Sequence, residues 1–399
     1  MAKTLRECVV AAGVRTATGN FLGSLKDIKA YDLGAACVRE IIKRTGLPGN
    51  AVDEVIFGNQ FQAGNNANPA RWAALYGGLP ETVPAFTPMK NCGTGLKSLI
   101  LAAQSIQTGD NDVVLAGGME SMTRCPYYLV NARQGYRMGH GPTVRDGLFE
   151  DGLLDPIVEG HMGLTAENLA KHYNIGRQEQ DEFALESHHK AESAWASGKY
   201  QADIVPIEIP VKGGKTVIFD HDETYRKELT MDELVKLKPA FLKGGTVTPG
   251  NASPLNDGAA AIMLTTPNKA GELGLTPIVK YLGSASVGYD PKEMGFAPVF
   301  AVRKLLKKTG VKQDDIGLFE VNEAFAVQAL SCIKELGLDM NKVNVNGGAI
   351  ALGHATGCTG ARLAVTLMSE MRRRGCKYGL ETLCIGGGQG IAALYELCE

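Results

Sequence analysis

The sequence predicts an α/β protein built from two similar halves, the first carrying a long insertion. Three observations carry this. Arg39-Glu-Ile-Ile-Lys-Arg-Thr-Gly-Leu47 recurs as Arg303-Lys-Leu-Leu-Lys-Lys-Thr-Gly-Val311, a shift of 264 residues. Each copy is followed by a polar turn and a short apolar run, Asp53-Glu-Val-Ile-Phe57 and Asp315-Ile-Gly-Leu-Phe319. Residues 123–251 match neither half.

Each element follows from local pattern. The two repeated segments read as amphipathic helices stopped by glycine at the C′ position. Thr94-Gly95 and Thr359-Gly360 each open a further helix. Those helices lead to buried-looking strands ending in glycines, Asp112-Val-Val-Leu-Ala-Gly-Gly118 and Thr382-Leu-Cys-Ile-Gly-Gly387. Within the insertion, residues 165–197 read as one helical run, and Lys212-Gly-Gly-Lys215 as a turn. A connection this long is usually functional. Residues 256–264 read as an apolar helix–strand segment that completes the first half.

Composition bounds the function. An apolar content of 44% over 399 residues is that of a globular chain with a sizeable core. A net charge of −2 argues against nucleic acid or an anionic membrane as the main partner. No stretch approaches the roughly 20 apolar residues of a membrane span. Nine scattered cysteines, an odd number, argue for a reducing compartment. The termini carry no secretory or retention signal, so a cytoplasmic location is expected.

The chemistry sits at glycine-rich strand ends. Asn91-Cys-Gly-Thr-Gly-Leu-Lys97 places a thiol at a tight turn before a helix. There the macrodipole is expected to lower its pKa and favour the thiolate, the form a covalent nucleophile needs. Asn346-Gly-Gly-Ala-Ile-Ala-Leu-Gly-His354 puts a histidine in a glycine-rich loop. Cys384-Ile-Gly-Gly-Gly-Gln-Gly390 puts a second cysteine at a strand end, and Asn322-Glu-Ala-Phe-Ala326 follows the strand at Phe319. Two cysteines and a histidine can serve as nucleophile, base and acid in acyl chemistry. Singly, each also fits a structural role: a buried inert cysteine or a satisfied loop histidine. Cys358, Cys376, Cys384 and His354 lack the close pairing of zinc ligands, so no metal is predicted. His188-His189 reads as the solvated face of a polar helix.

These segments, with His161-Met-Gly-Leu-Thr-Ala-Glu-Asn168 and Gly250-Asn-Ala-Ser-Pro-Leu-Asn-Asp-Gly258, resemble the thiolase family over essentially the whole chain. Length and insertion pattern resemble its short-chain, biosynthetic type most. The resemblance implies two βαβαβαββ halves forming a five-layered α-β-α-β-α core. It divides the chain into an N-terminal half at 1–122 completed by 252–277, an inserted loop domain at 123–251 for coenzyme A binding and tetramerisation, and a C-terminal half at 278–399. The implied reaction condenses two acetyl-CoA to acetoacetyl-CoA and CoA. A degradative 3-ketoacyl-CoA thiolase with longer substrates is the alternative. Coenzyme A thioesters are substrates, and no cofactor is implied.

Carried over by position, Cys92 resembles the acylated nucleophile, His354 the base that takes its proton, and Cys384 the acid/base for the α-proton. Asn322 resembles the residue holding a water that forms one oxyanion hole with His354. The N–H groups of Cys92 and Gly386 would form the other. Leu153, His161, Met162, Phe241, Ser253 and Phe325 match positions at the pantetheine and thioester end, with Pro249 and Ala324 among the substrate-binding positions. Arg226 matches a position near the nucleotide, and Met294 one that limits chain length. Asn91 and Ala355-Thr356 depart from the family's usual residues and bear on rate and chain preference. The family also implies a homo-oligomer, a dimer of dimers. The segment 124–145 fits a tetramerisation loop: it holds four arginines and three tyrosines and no acidic residue.

Overall fold

A computed structural model describes residues 5–139 and 141–398 of the chain. Residues 1–4 and 399, part of the reading of the termini, lie outside the described residues. The centre is one eleven-stranded mixed sheet. Its first half runs, outward from the middle, Val9–Thr16, Asn256–Thr265, Val113–Ser121, Glu54–Gly58 and Ala85–Phe86. The second half runs Val279–Gly288, Gln389–Leu397, Tyr378–Ile385 and Ile316–Val321. The halves meet where Val9 and Val10 pair with Lys280 and Val279. Both halves have a parallel pair in the same place: Glu54–Gly58 with Val113–Ser121, and Ile316–Val321 with Tyr378–Ile385. The first half therefore reads βαβαβαββ; in the second, the third strand shrinks to one bridge between Phe319 and Val343.

Helices cover both outer faces and fill the middle. Ala30–Thr45 ends on Gly46 at φ 67°, and Ala297–Thr309 on Gly310 at φ 74°. Both glycines take the left-handed conformation that ends a helix at no steric cost. Three buried clusters separate the layers. One lies under the first-half outer helices and one under Ala297–Thr309 and Ala326–Leu336. The third lies between the half-sheets, around Thr94–Thr108 and Thr356–Arg374. This is the five-layered α-β-α-β-α arrangement. The central helices cross backbone to backbone at the repeated Thr-Gly pairs. A Cβ on Gly95 would sit 2.7 Å from Ala361 N, and one on Gly360 would run into the Leu96 backbone. Rigid backbone cannot yield, so Gly360→Ala should destabilise the protein by about 3 kcal/mol, the upper range for overpacking. Denaturant unfolding checks this; a loss under about 1 kcal/mol would mean the crossing adapts.

Three local expectations are corrected. The run 165–197 is two helices, Met162–His172 and Arg177–Ala196, with a break containing Asn174 at φ 51°. Residues 256–264 are strand throughout; both faces are covered, so the unbroken apolar run carries no period to tell helix from strand. The second central helix begins at Thr356, three residues before Thr359.

The insertion is anchored in the first half. Ile204–Val205 pairs with the end of Val9–Thr16. Arg15 donates both Nη1 and Nη2 to Asp222 at 2.8 Å, and Trp195 Nε1 and Thr18 N complete the shell. Burial opposes ionisation of Asp222, but the Arg15 charge and these bonds outweigh it and hold the carboxyl below its usual range.

Candidate active site

Cys92 lies two residues before the helix Thr94–Thr108, in a turn entered through Asn91 at φ 45°. Gly93 is needed there, since a Cβ would lie 2.6 Å from Ile385 Cδ1. The N–H groups of Gly386 and of Cys92 itself both face the sulfur and favour its thiolate. Burial works against them and is larger, pushing the thiol up to about 11. The expectation of a resting thiolate is thus corrected: Cys92 rests as a neutral thiol, because desolvation exceeds what a helix terminus and two donors return. Cys384 ends the strand Tyr378–Ile385 and is fully buried. Burial first, and then the neighbouring Cys92, raise it well above an ordinary thiol.

His354 is held from three sides. Its backbone N–H donates to Asn256 Oδ1 at 2.9 Å. Its Nδ1 lies 2.7 Å from Thr359 Oγ1, and that hydroxyl donates to Ala355 O at 2.9 Å. The hydroxyl proton is therefore spent on Ala355, so the Nδ1–H donates to Thr359 and Nε2 keeps its lone pair. Asn322 Nδ2 lies 3.4 Å from that Nε2, while Asn322 Oδ1 is buried without a partner. Burial, assisted by the Arg362 charge, pushes His354 down to about 3. The imidazole is therefore neutral across the physiological range, with the Nε2 lone pair free.

Around these groups the structure gathers most of the other expected residues. A Cβ on Gly386 would lie 3.0 Å from Met162 Cε, which places Met162 over the glycine turn. His161 caps Met162–His172 through Nδ1 to Gly163 N at 3.0 Å. Its ring stacks on Phe241 at 4.5 Å, and Phe241 meets Phe325 edge-on at 6.1 Å. Ser253 donates both its N–H and its hydroxyl to Ala324 O at 3.0 Å. Met294 is buried in the same outer cluster as Met162, Ala324 and Phe325. Arg226 and Pro249 line a pocket with His188 and Ala252, the latter bridged to Phe325. Leu153 packs against Phe61, Met122 and Leu148, next to Leu154, which pairs with His161. His188 is not solvated: it is buried, accepts from Arg226 N through Nδ1, and is pushed down to about 4 by burial.

Sequence reasoning missed Thr359, whose role comes only from the proton it accepts, and Glu120. Glu120 lies at the end of a fully buried strand, a lone carboxylate in an apolar run, and that contrast was the available signal. It accepts from Gly357 N, Gln60 N, Phe61 N and Thr356 Oγ1, so it clamps the start of the helix that follows His354. Burial nevertheless raises it to about 7.

Behind that helix, Glu320 and Glu381 are cross-strand neighbours. Each is raised to about 8, chiefly by burial, and Tyr395 donates to Glu381 at 2.6 Å. A carboxyl whose folded pKa exceeds its unfolded value of about 4.3 withdraws stability as pH rises from about 4 to 8. Glu381→Gln should therefore recover roughly 1–3 kcal/mol at pH 8 relative to pH 5. Parallel stability–pH curves for variant and wild type would contradict this.

Among the described residues no group of three or more His, Cys, Asp or Glu is arranged to hold a metal ion, and no helix is long and apolar enough to cross a membrane. The family description "Thiolase, N-terminal domain" matches residues 8–268, and "Thiolase, C-terminal domain" matches 275–397. The chain is 52% identical to a probable acetyl-CoA acyltransferase of Staphylococcus aureus strain N315, over 97% of this chain and 98% of that one. It is 51% identical to an acetyl-CoA acetyltransferase of Pseudomonas aeruginosa, again over 97% and 98%. The crystal structure of the Bacillus anthracis acetyl-CoA acetyltransferase superposes with a TM-score of 0.96 at 45% identity, covering all of both chains. Two matched halves in the right order, full-length relatives and a shared fold together establish that the chain belongs to the thiolase family.

Proposed function

We infer that the protein is an acetyl-CoA C-acetyltransferase working through an acyl-cysteine. The observation that carries this is the pair of N–H groups, from Gly386 and Cys92, converging on the Cys92 sulfur beside Cys384. His354 Nε2 takes the Cys92 proton as the sulfur attacks the acetyl-CoA carbonyl. The two N–H groups stabilise the oxyanion, and CoA leaves as its thiol with the proton His354 had taken. Cys384 then passes its own proton to the freed His354, and its thiolate takes an α-proton from a second acetyl-CoA, whose carbanion attacks the acyl-cysteine carbonyl. The C–C bond forms, the Cys92–acyl bond breaks, Cys92 recovers a proton from His354, and acetoacetyl-CoA departs. In thiolysis Cys384 returns the proton, and the neutral thiol that burial favours is the form suited to that step. The orphaned Asn322 Oδ1 supports a water-held second oxyanion site with His354. Each step moves a proton or an acyl group, so the reaction calls for no metal or redox cofactor. His161, Met162, Phe241, Ser253, Ala324 and Phe325 would line the acyl and pantetheine end. Arg226 would meet the nucleotide end, and Pro249 would be a further substrate-binding residue.

The domain division into 1–122 with 252–277, 123–251 and 278–399 is supported by where the chain leaves and rejoins the sheet. Oligomerisation as a dimer of dimers is supported by the ribbon of Tyr127–Val130 and Thr143–Asp146, on which Tyr127 is 66% and Leu129 56% exposed. A cytoplasmic location is supported by nine free cysteines. Thiolysis kcat/KM across 3-ketoacyl-CoA chain lengths tests the substrate. A steep fall beyond acetoacetyl-CoA is expected, given the buried Met294. Rising activity toward long chains would replace this reading with the degradative one.

A further inference from the structure

We propose that Asn91 is a positioning residue that locks the Gly386 N–H into the oxyanion site by bonding the nucleophile turn to the glycine loop of the opposite half. The proposal rests on the acyl-cysteine reading above. Asn91 Nδ2 donates to Gly386 O at 3.1 Å, a bond spanning 295 residues of sequence. Its neighbour Lys90 reaches the same loop, donating from Nζ to Gln389 Oε1 at 2.6 Å. Both residues before the nucleophile thus tie to the turn that supplies the second oxyanion donor.

The loop needs such ties. Gly386, Gly387 and Gly388 are consecutive, the last two at φ 83° and 75°. A run without Cβ atoms loses the most conformational freedom on ordering, and nothing in its own side chains fixes where its N–H groups point. Tyr289 N holds Gly388 O at 2.6 Å and the strand ladder pairs Ile385 with Gln389, and Asn91 adds the tie to Gly386 itself. An oxyanion donor acts only if aimed beforehand, and a displacement of an ångström is felt in rate. Asn91 itself sits at φ 45°, a conformation asparagine tolerates. A plain alternative is therefore that asparagine serves the turn alone.

Asn91→Gly separates the two, because glycine keeps the left-handed backbone and loses only the amide. Asn91→Asp keeps the shape but turns the donor into an acceptor facing Gly386 O. Single-turnover acylation of Cys92 by acetoacetyl-CoA should slow about tenfold in Asn91→Gly and about a hundredfold in Asn91→Asp. KM for acetoacetyl-CoA and the melting temperature of Asn91→Gly should stay close to wild type. Acylation by Asn91→Gly within about twofold of wild type would overturn the proposal, as would a loss matched by an equal change in KM and a fall in melting temperature. Failure of the underlying reading looks different: wild type itself would then show no Cys92 acylation.

Discussion

Replacing His354 with alanine is expected to cut acylation of Cys92 by about 10³- to 10⁴-fold. A thiol held at about 11 is ionised to only about one part in ten thousand at pH 7, so attack depends on a base. The same geometry predicts the pH profile. With His354 pushed down to about 3, its lone pair is free at every pH above that range, and wild-type acylation should be flat from about pH 6 to 8. In His354→Ala the rate should climb about tenfold per pH unit, following the thiolate. A variant keeping more than about a tenth of wild-type activity, or a wild-type profile falling below pH 7 with an ordinary histidine midpoint, would show that His354 is not that base.

Replacing Cys384 with alanine should separate the two half-reactions. The variant should still take an acetyl group from acetyl-CoA, because loading uses Cys92, His354 and the N–H pair. Condensation should fall by at least about 10³-fold, because no other group is assigned to the α-proton. Exchange of the acetyl-CoA methyl protons with deuterated water gives a second readout and should vanish. Equal, modest losses in loading and condensation would instead make Cys384 a packing residue. Removing its sulfur from a fully buried site would account for such a loss.

Much of this was legible in the sequence, and the failures have physical reasons. The repeat from residue 39 to 303 gave the two halves because helix stops and turns are local chemistry. Cys92, His354 and Cys384 stood out because glycine-rich strand ends are where α/β folds expose side chains. The Asn256–Thr265 strand was misread because a strand covered on both faces has no period. The protonation of Cys92 was misjudged because the dipole is read from sequence and the burial is not. The partners of Glu120, Thr359 and Asn91 are not legible in the sequence, because they are long-range or set by side-chain geometry. Glu120 meets Gly357 across 237 residues, and Asn91 meets Gly386 across 295.

The central claim is that Cys92 carries the acyl group. Intact mass spectrometry after incubation with acetyl-CoA, with no second substrate consumed, tests it most directly. The expected result is a single acetyl adduct on wild type, localised to Cys92 by peptide mapping and absent from Cys92→Ala. An acetyl adduct of equal yield in Cys92→Ala, or turnover by that variant, would contradict the account.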